Sequence, residues 1–135
     1  MISDTVKDIL VEAINDEYKA RATYKNVIEH FGDVRPFTNI VEAEGRHVSA
    51  LLVLFAKYGV EVPEDTWDSR VQTPQSITEA CKVGVEAEIE NVKMYDRLLA
   101  FTDDYPDIRE IFIELQSASK ERHLPAFERC AQRGA

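Results

Sequence analysis

The dipeptide Arg-His occurs twice, at residues 46–47 and 122–123, and each copy opens a similar hexapeptide, RHVSAL and RHLPAF. A glutamate followed seven residues later by a tyrosine also occurs twice, as Glu17 with Tyr24 and Glu88 with Tyr95. The chain is therefore a weak duplication in which each half holds one Glu segment and one His segment. The first histidine also has a glutamate three residues before it, Glu44-x-x-His47, whereas Lys120 stands at that place before His123. Each of these polar residues interrupts an apolar stripe of helical period. The fold has to bring them together or leave each one buried alone.

The stripes predict four helices. Val6, Leu10, Ile14, Glu17, Tyr24, Ile28 and Phe31 lie near one face of a segment running from about residue 4 to 31, ended by Gly32 and Asp33. Pro36 suits the first turn of a second helix, which carries Phe37, Ile40, Glu44, His47, Leu51, Leu54 and Tyr58 and stops at Gly59. Ser76-x-x-Glu79 is a capping box that opens a third helix, with Ile77, Cys81, Gly84, Glu88, Asn91, Tyr95 and Leu98 on one face. Residues 102–105 form a turn, and Pro106 opens a fourth helix whose face holds Phe112, Gln116, Ser119, His123, Phe127 and Cys130. Pro125 removes a hydrogen bond inside that helix and predicts a kink. Residues 60–75 have no helical period and form a connection long enough to run the length of a bundle. Short, long and short connections predict an all-α, ferritin-like four-helix bundle with one crossover between helices 2 and 3.

At 135 residues, 1–135 reads as a single domain with a core of its own. A net charge of −9 argues against nucleic acid or an anionic membrane as partner, because both need clustered Lys and Arg. The first ten residues are amphipathic and unlike a signal peptide, and the longest apolar run, residues 50–56, is too short to span a bilayer. A cytoplasmic protein is expected. Cys81 and Cys130 read as small core thiols at one end of the bundle, with a reversible disulfide as the lesser reading.

Burying a carboxylate in an apolar stripe costs several kcal/mol unless it is paired or coordinated. Glu44 and His47 project from one helix face. A metal ion meets the cost by giving the carboxylate a counter-charge and accepting the imidazole lone pair. Dinuclear carboxylate bundles take a Glu from each of two helices and a Glu-x-x-His from each of the other two. The candidate metal layer is Glu17, Glu44, His47, Glu88 and His123.

The chain resembles the rubrerythrin-like branch of the ferritin-like superfamily, and within it an uncharacterised bacterial family known as a domain of unknown function. The resemblance spans nearly the whole chain. It rests on residues 17–24 (EYKARATY), 39–47 (NIVEAEGRH), 83–90 (VGVEAEIE), 106–109 (PDIR) and 123–127 (HLPAF). It implies a di-iron centre, with manganese or zinc as the other metals, and oxidoreductase chemistry on oxygen or peroxide. By position, Glu17, Glu44 and His47 would hold one metal and Glu88 and His123 the other, with Glu44 bridging. It also implies a homodimer. With no Cys-x-x-Cys pair, the electron donor is expected to be external. The alternative function is a non-catalytic metal-binding bundle, or a degenerate metal-free one acting in protein interaction.

Two residues depart from the family pattern. Lys120 stands where the second Glu-x-x-His motif has its glutamate, and Asn91 where rubrerythrins have a further carboxylate. Lys120 either pairs with Glu44 or Glu88, standing in for one metal's charge, or carries its ammonium out to solvent. Tyr24 and Tyr95 read as core residues, with a hydrogen bond to a ligand carboxylate or an electron relay as the sharper reading. Arg21 is expected to pair with an acid, and Trp67 to pack over the bundle.

Overall fold

The protein was described from a computed structural model covering residues 2–133. Those residues form α1 (Asp4–Phe31), α2 (Phe37–Tyr58), α3 (Ile77–Leu99), α4 (Pro106–Ala118), a π-helical turn (Ser119–His123) and α5 (Leu124–Arg133). Helical backbone continues from α4 through the π turn into α5, so the bundle has four helical rods. No strand occurs among the described residues, and no helix is long and apolar enough to cross a membrane.

Local chemistry sets the ends. The Ser3 hydroxyl accepts from the Val6 N–H at 3.3 Å, and the Ser76 hydroxyl accepts from the Glu79 N–H at 3.1 Å, so α1 and α3 each begin on a serine cap. Pro106 occupies the start of α4, where no partner for an N–H is needed. Gly59 ends α2 at φ 64°, in the left-handed region that glycine enters without a Cβ penalty.

α1 packs antiparallel against α2: Glu17 meets His47, and further along Tyr24 meets Phe37. α1 is also antiparallel to α3, with Glu12 on Arg97 and Tyr24 on Glu88. α2 and α3 are consequently parallel, and residues 60–75 carry the chain back along the bundle. They do so over α1. The Tyr18 hydroxyl donates to the Pro63 carbonyl, Arg21 pairs with Asp65 at 3.1 Å, and Lys19 and Arg70 lie over the Trp67 ring. Arg21 and Trp67 thus take the places expected of them.

The core falls into two apolar clusters. One gathers Leu10, Ile14, Leu51, Phe55, Leu98 and Phe112. The other gathers Tyr24, Phe37, Ile40, Cys81, Phe127 and Cys130. On every rod the buried charged residue lies between the segments that build these two clusters. The polar residues therefore form one layer across the bundle. In the second cluster α3 and α5 approach so closely that a Cβ on Gly84 would sit 2.7 Å from the Phe127 ring.

Two expectations change in this region. Cys81 and Cys130 are a disulfide, not thiols, with Cα atoms 5.9 Å apart. Their placement at one end of the bundle is as expected, and the link ties the start of α3 to the last turn of α5. The kink expected at Pro125 takes the form of the π turn, in which the Leu124 N–H reaches the Ser119 carbonyl five residues back. A π turn needs more than four residues, so Ser119 lies one turn before His123 and is buried, while Lys120 is exposed. The three-residue spacing of Glu44-x-x-His47, carried over to His123, puts Lys120 at the polar layer. The widened turn removes it, and the reading in which its ammonium stays in solvent holds.

Candidate metal centre

Glu17 of α1, Glu44 and His47 of α2, Glu88 of α3 and His123 of the π turn meet in the polar layer, all buried. Glu17, Glu44 and His47 offer one ligand atom each, all within 4.8 Å of one another, and so do Glu44, Glu88 and His123. Glu44 belongs to both groups. Its Oε2 lies 3.4 Å from His47 Nδ1 and its Oε1 3.2 Å from His123 Nδ1. His47 Nδ1 is 3.1 Å from Glu17 Oε2, and His123 Nδ1 is 3.1 Å from Glu88 Oε1. The two imidazoles are nearly parallel, 5.5 Å apart at their centres and 17° in angle. Each turns its Nδ1 toward the carboxylates.

The tyrosines cross between the halves. The Tyr24 hydroxyl donates to Glu88 Oε2 at 2.5 Å, and the Tyr95 hydroxyl donates to Glu17 Oε1 at 2.9 Å. Each tyrosine thus holds the glutamate of the other repeat. Burial raises both phenols well above 10, and the carboxylates they face push the same way, so both remain donors. Asn91 donates to Glu17 Oε1 at 3.1 Å and to Asp16 Oδ2 at 2.7 Å, and its own carbonyl accepts from Ser119 Oγ at 2.8 Å. The Asn91 amide thereby ties α1, α3 and the π turn together.

Without a metal the layer balances its charge with protons. Burial, followed by the Glu44 charge, pushes Glu17 up to about 8. Burial opposes ionisation of Glu44 as well, but hydrogen bonds from Glu17, His123 and His47 hold its carboxyl below the usual value. Burial also works against a charged His47, yet hydrogen bonds to Glu17 and Glu44 outweigh it and raise the imidazole to about 10. His123 is raised to about 9 by Glu44 and Glu88 against the same opposition. A protonated Glu17, two imidazolium ions and two carboxylates leave the layer close to neutral.

The donor set fits a divalent metal on two grounds. Glu44 Oε2 is buried and has no well-formed hydrogen bond: His47 Nδ1 lies 3.4 Å away and is closer to Glu17, and a buried oxygen satisfied this weakly costs up to about 1–3 kcal/mol unless another partner is supplied. Carboxylate oxygen with imidazole nitrogen suits iron, manganese and zinc. The buried Glu/His cluster could therefore hold a metal.

All five residues picked out by sequence are brought together here. Sequence reasoning missed Asp16, which burial raises to about 6 against the Asn91 hydrogen bond. It also missed the crossing of the tyrosines, which no spacing along the chain encodes. Ser119 was placed on the inner face of its helix, but its link to Asn91 depends on the π turn.

Comparison with known proteins places this fold. The family described as an uncharacterized protein domain, DUF2202, matches residues 6–73, a stretch holding Glu17, Glu44 and His47. The chain is similar to hypothetical protein MJ0754 from Methanococcus jannaschii DSM 2661. That crystal structure matches with a TM-score of 0.88 at 25% identity, over 99% of this chain and 83% of the other. No curated protein matches.

Proposed function

The chain belongs to the family described as an uncharacterized protein domain, DUF2202, and we propose that its buried layer is a non-haem dinuclear metal centre of ferritin-like, rubrerythrin-like kind. The proposed activity is reduction of peroxide or oxygen. One observation carries the reading: Glu44 sits between two Glu/His groups, with one carboxylate oxygen left without a hydrogen bond. Glu17, Glu44 and His47 would hold one metal and Glu44, Glu88 and His123 the other, with iron preferred and manganese or zinc as substitutes. The parallel α2 and α3, joined by a connection running back along α1, support the ferritin-like assignment.

A bound metal pair supplies one-electron steps at an oxygen species. The chain's own residues do the rest. Burial keeps bulk water from the three carboxylates. Tyr24 and Tyr95 orient Glu88 and Glu17 from above pH 7 to well below it, because both phenols keep their protons. Reduction of one peroxide to two waters takes two electrons and two protons, and the electrons come from an external donor. A homodimer remains an expectation of the family resemblance.

The test is metal content per chain after anaerobic loading with ferrous iron, followed by peroxide consumption. About two irons per chain are expected. His47→Ala and His123→Ala should each lower that number, and chelation should lower the melting temperature by mass action. Full occupancy in both alanine variants, or none in the wild type, would sink the metal assignment. Two irons that react with neither peroxide nor oxygen would leave a metal-binding protein without the redox activity.

A further inference from the structure

A groove of about 320 Å³ opens between α2 and the rod formed by α4 and the π turn. Its mouth carries Arg46 and Arg122, its floor carries His47 and His123, and Glu114 is the acid on its wall. The duplicated Arg-His dipeptides thus converge, one from each repeat. Small side chains, Ala43 and Ala118 among them, leave the space open.

Three observations give this groove a ligand chemistry. Arg46 and Arg122 form no ion pair with any described residue, although 25 acids against 16 Lys and Arg make partners abundant. Both histidines are more than nine-tenths buried, and their Nδ1 atoms are taken up on the carboxylate side. The opposite edge, Nε2, faces away from the carboxylates and makes no hydrogen bond with the described residues. A metal held through Nδ1 leaves Nε2 carrying its hydrogen, so each ring presents an N–H toward the groove. The rings are nearly parallel with centroids 5.5 Å apart, a spacing that suits an anion with two oxygens, one to each N–H, rather than a single acceptor atom. Two guanidinium groups against Glu114 leave the mouth cationic on an otherwise acidic protein, and a low-dielectric groove strengthens that field. Two divalent ions against three carboxylates leave one positive charge in the loaded centre, which favours an anion close by.

We propose that this groove is a binding site for a small oxyanion, held between Arg46 and Arg122 and accepting hydrogen bonds from Nε2–H of His47 and His123. The inference rests on the metal reading for its assignment of Nδ1. Phosphate and a short carboxylate share the required chemistry, a pair of oxygens that guanidinium forks grip. An anion here makes the imidazoles better donors to the metal, as partners of the outer imidazole nitrogen do generally. The groove would thereby tune the centre without touching the metals.

The experiment uses zinc-loaded protein, which is diamagnetic. Inorganic phosphate is titrated in one arm and acetate in the other, at constant ionic strength. Heat is read by calorimetry, and the two Nε2–H resonances are followed by ¹⁵N NMR. Saturable binding with a shift of both resonances is expected, and the tighter of the two anions identifies the oxyanion class. R46Q/R122Q should weaken phosphate binding at least tenfold, in a variant whose zinc content and fold are verified in anion-free buffer, where the groove has nothing to transmit. Equal phosphate affinity in the variant would move the anion onto the metal itself and overturn the groove site. Absence of saturable binding in zinc-loaded wild type would overturn it too, while leaving the metal reading intact. Failure to hold zinc at all would overturn the metal reading first.

Discussion

Lowering the pH should weaken metal binding with an unusually steep dependence, because the metal-free layer is neutralised by protons that the metal must displace. Near pH 7 the metal-free protein holds a proton on Glu17, at about 8, on His123, at about 9, and on His47, at about 10. A metal ligand must be deprotonated, so filling both positions releases about three protons. Each displaced proton changes the overall binding constant tenfold per pH unit, about 1.4 kcal/mol. From pH 7 to pH 6 the constant should fall about a thousandfold, or about 4 kcal/mol. The metal-free protein should show the opposite trend in stability. All three groups are raised on folding, so their contribution is fully present below the unfolded values, 4.5 for Glu17 and 6.5 for the histidines. It is lost as pH rises through about 8, 9 and 10. Calorimetric metal titration in two buffers of different protonation enthalpy counts the protons directly. Release of fewer than one proton, or an affinity unchanged between pH 6 and 8, would refute the proton-neutralised layer.

Lys120→Glu should leave metal content and peroxide consumption unchanged, because the π turn puts residue 120 in solvent; a gain in either, measured by metal analysis and a peroxide assay, would mean the turn straightens. Gly84→Ala should destabilise the protein in urea unfolding: overpacking against Phe127 costs about 1–3 kcal/mol, against a helix-propensity gain of about 1 kcal/mol. The same change in a Phe127→Leu background should become neutral or stabilising, and equal effects in both backgrounds would rule out that contact. Cys81→Ala/Cys130→Ala opens a loop spanning 49 positions and should cost about 4 kcal/mol by loop entropy, read from urea midpoints; a loss under about 1 kcal/mol would mean the unfolded chain is already constrained there.

Much of the fold can be read from the chain because its stops are chemical. Gly32, Gly59, Ser76 and Pro106 act through backbone freedom, a side-chain cap or a missing N–H, and each ends or begins a helix within a residue of its place. The five buried polar residues were legible for a related reason: a charge inside an apolar stripe demands a partner. What the sequence hid depends on a change of helical period. Carrying the Glu44-x-x-His47 spacing of three over to His123 lands on Lys120, and nothing in the local composition except Pro125 signals that the turn widens. The disulfide was half legible. The expected register put Cys81 and Cys130 at one end of the bundle, but spacing alone does not decide between two small core thiols and a bond; the 5.9 Å approach of their Cα atoms does.

The crossed tyrosines bear on why the two repeats persist in one chain. Glu17 is held by Tyr95 and Asn91 of the second repeat, and Glu88 by Tyr24 of the first. Neither half can therefore hold its own glutamate in place, although each contains the same Glu and Tyr spacing. Glu44 breaks the symmetry further, since the second repeat has Ser119 and an exposed Lys120 where its counterpart would stand. One carboxylate then serves both histidines, Oε2 toward His47 and Oε1 toward His123. A symmetric site with a fourth carboxylate would be balanced by two divalent ions alone. With three, the layer can be neutral in two ways: through protons on Glu17 and both imidazoles, or through two divalent ions and one added anion. If the proposed pair of metals binds, the loaded layer would acquire a demand for an anion that the proton-neutralised layer lacks.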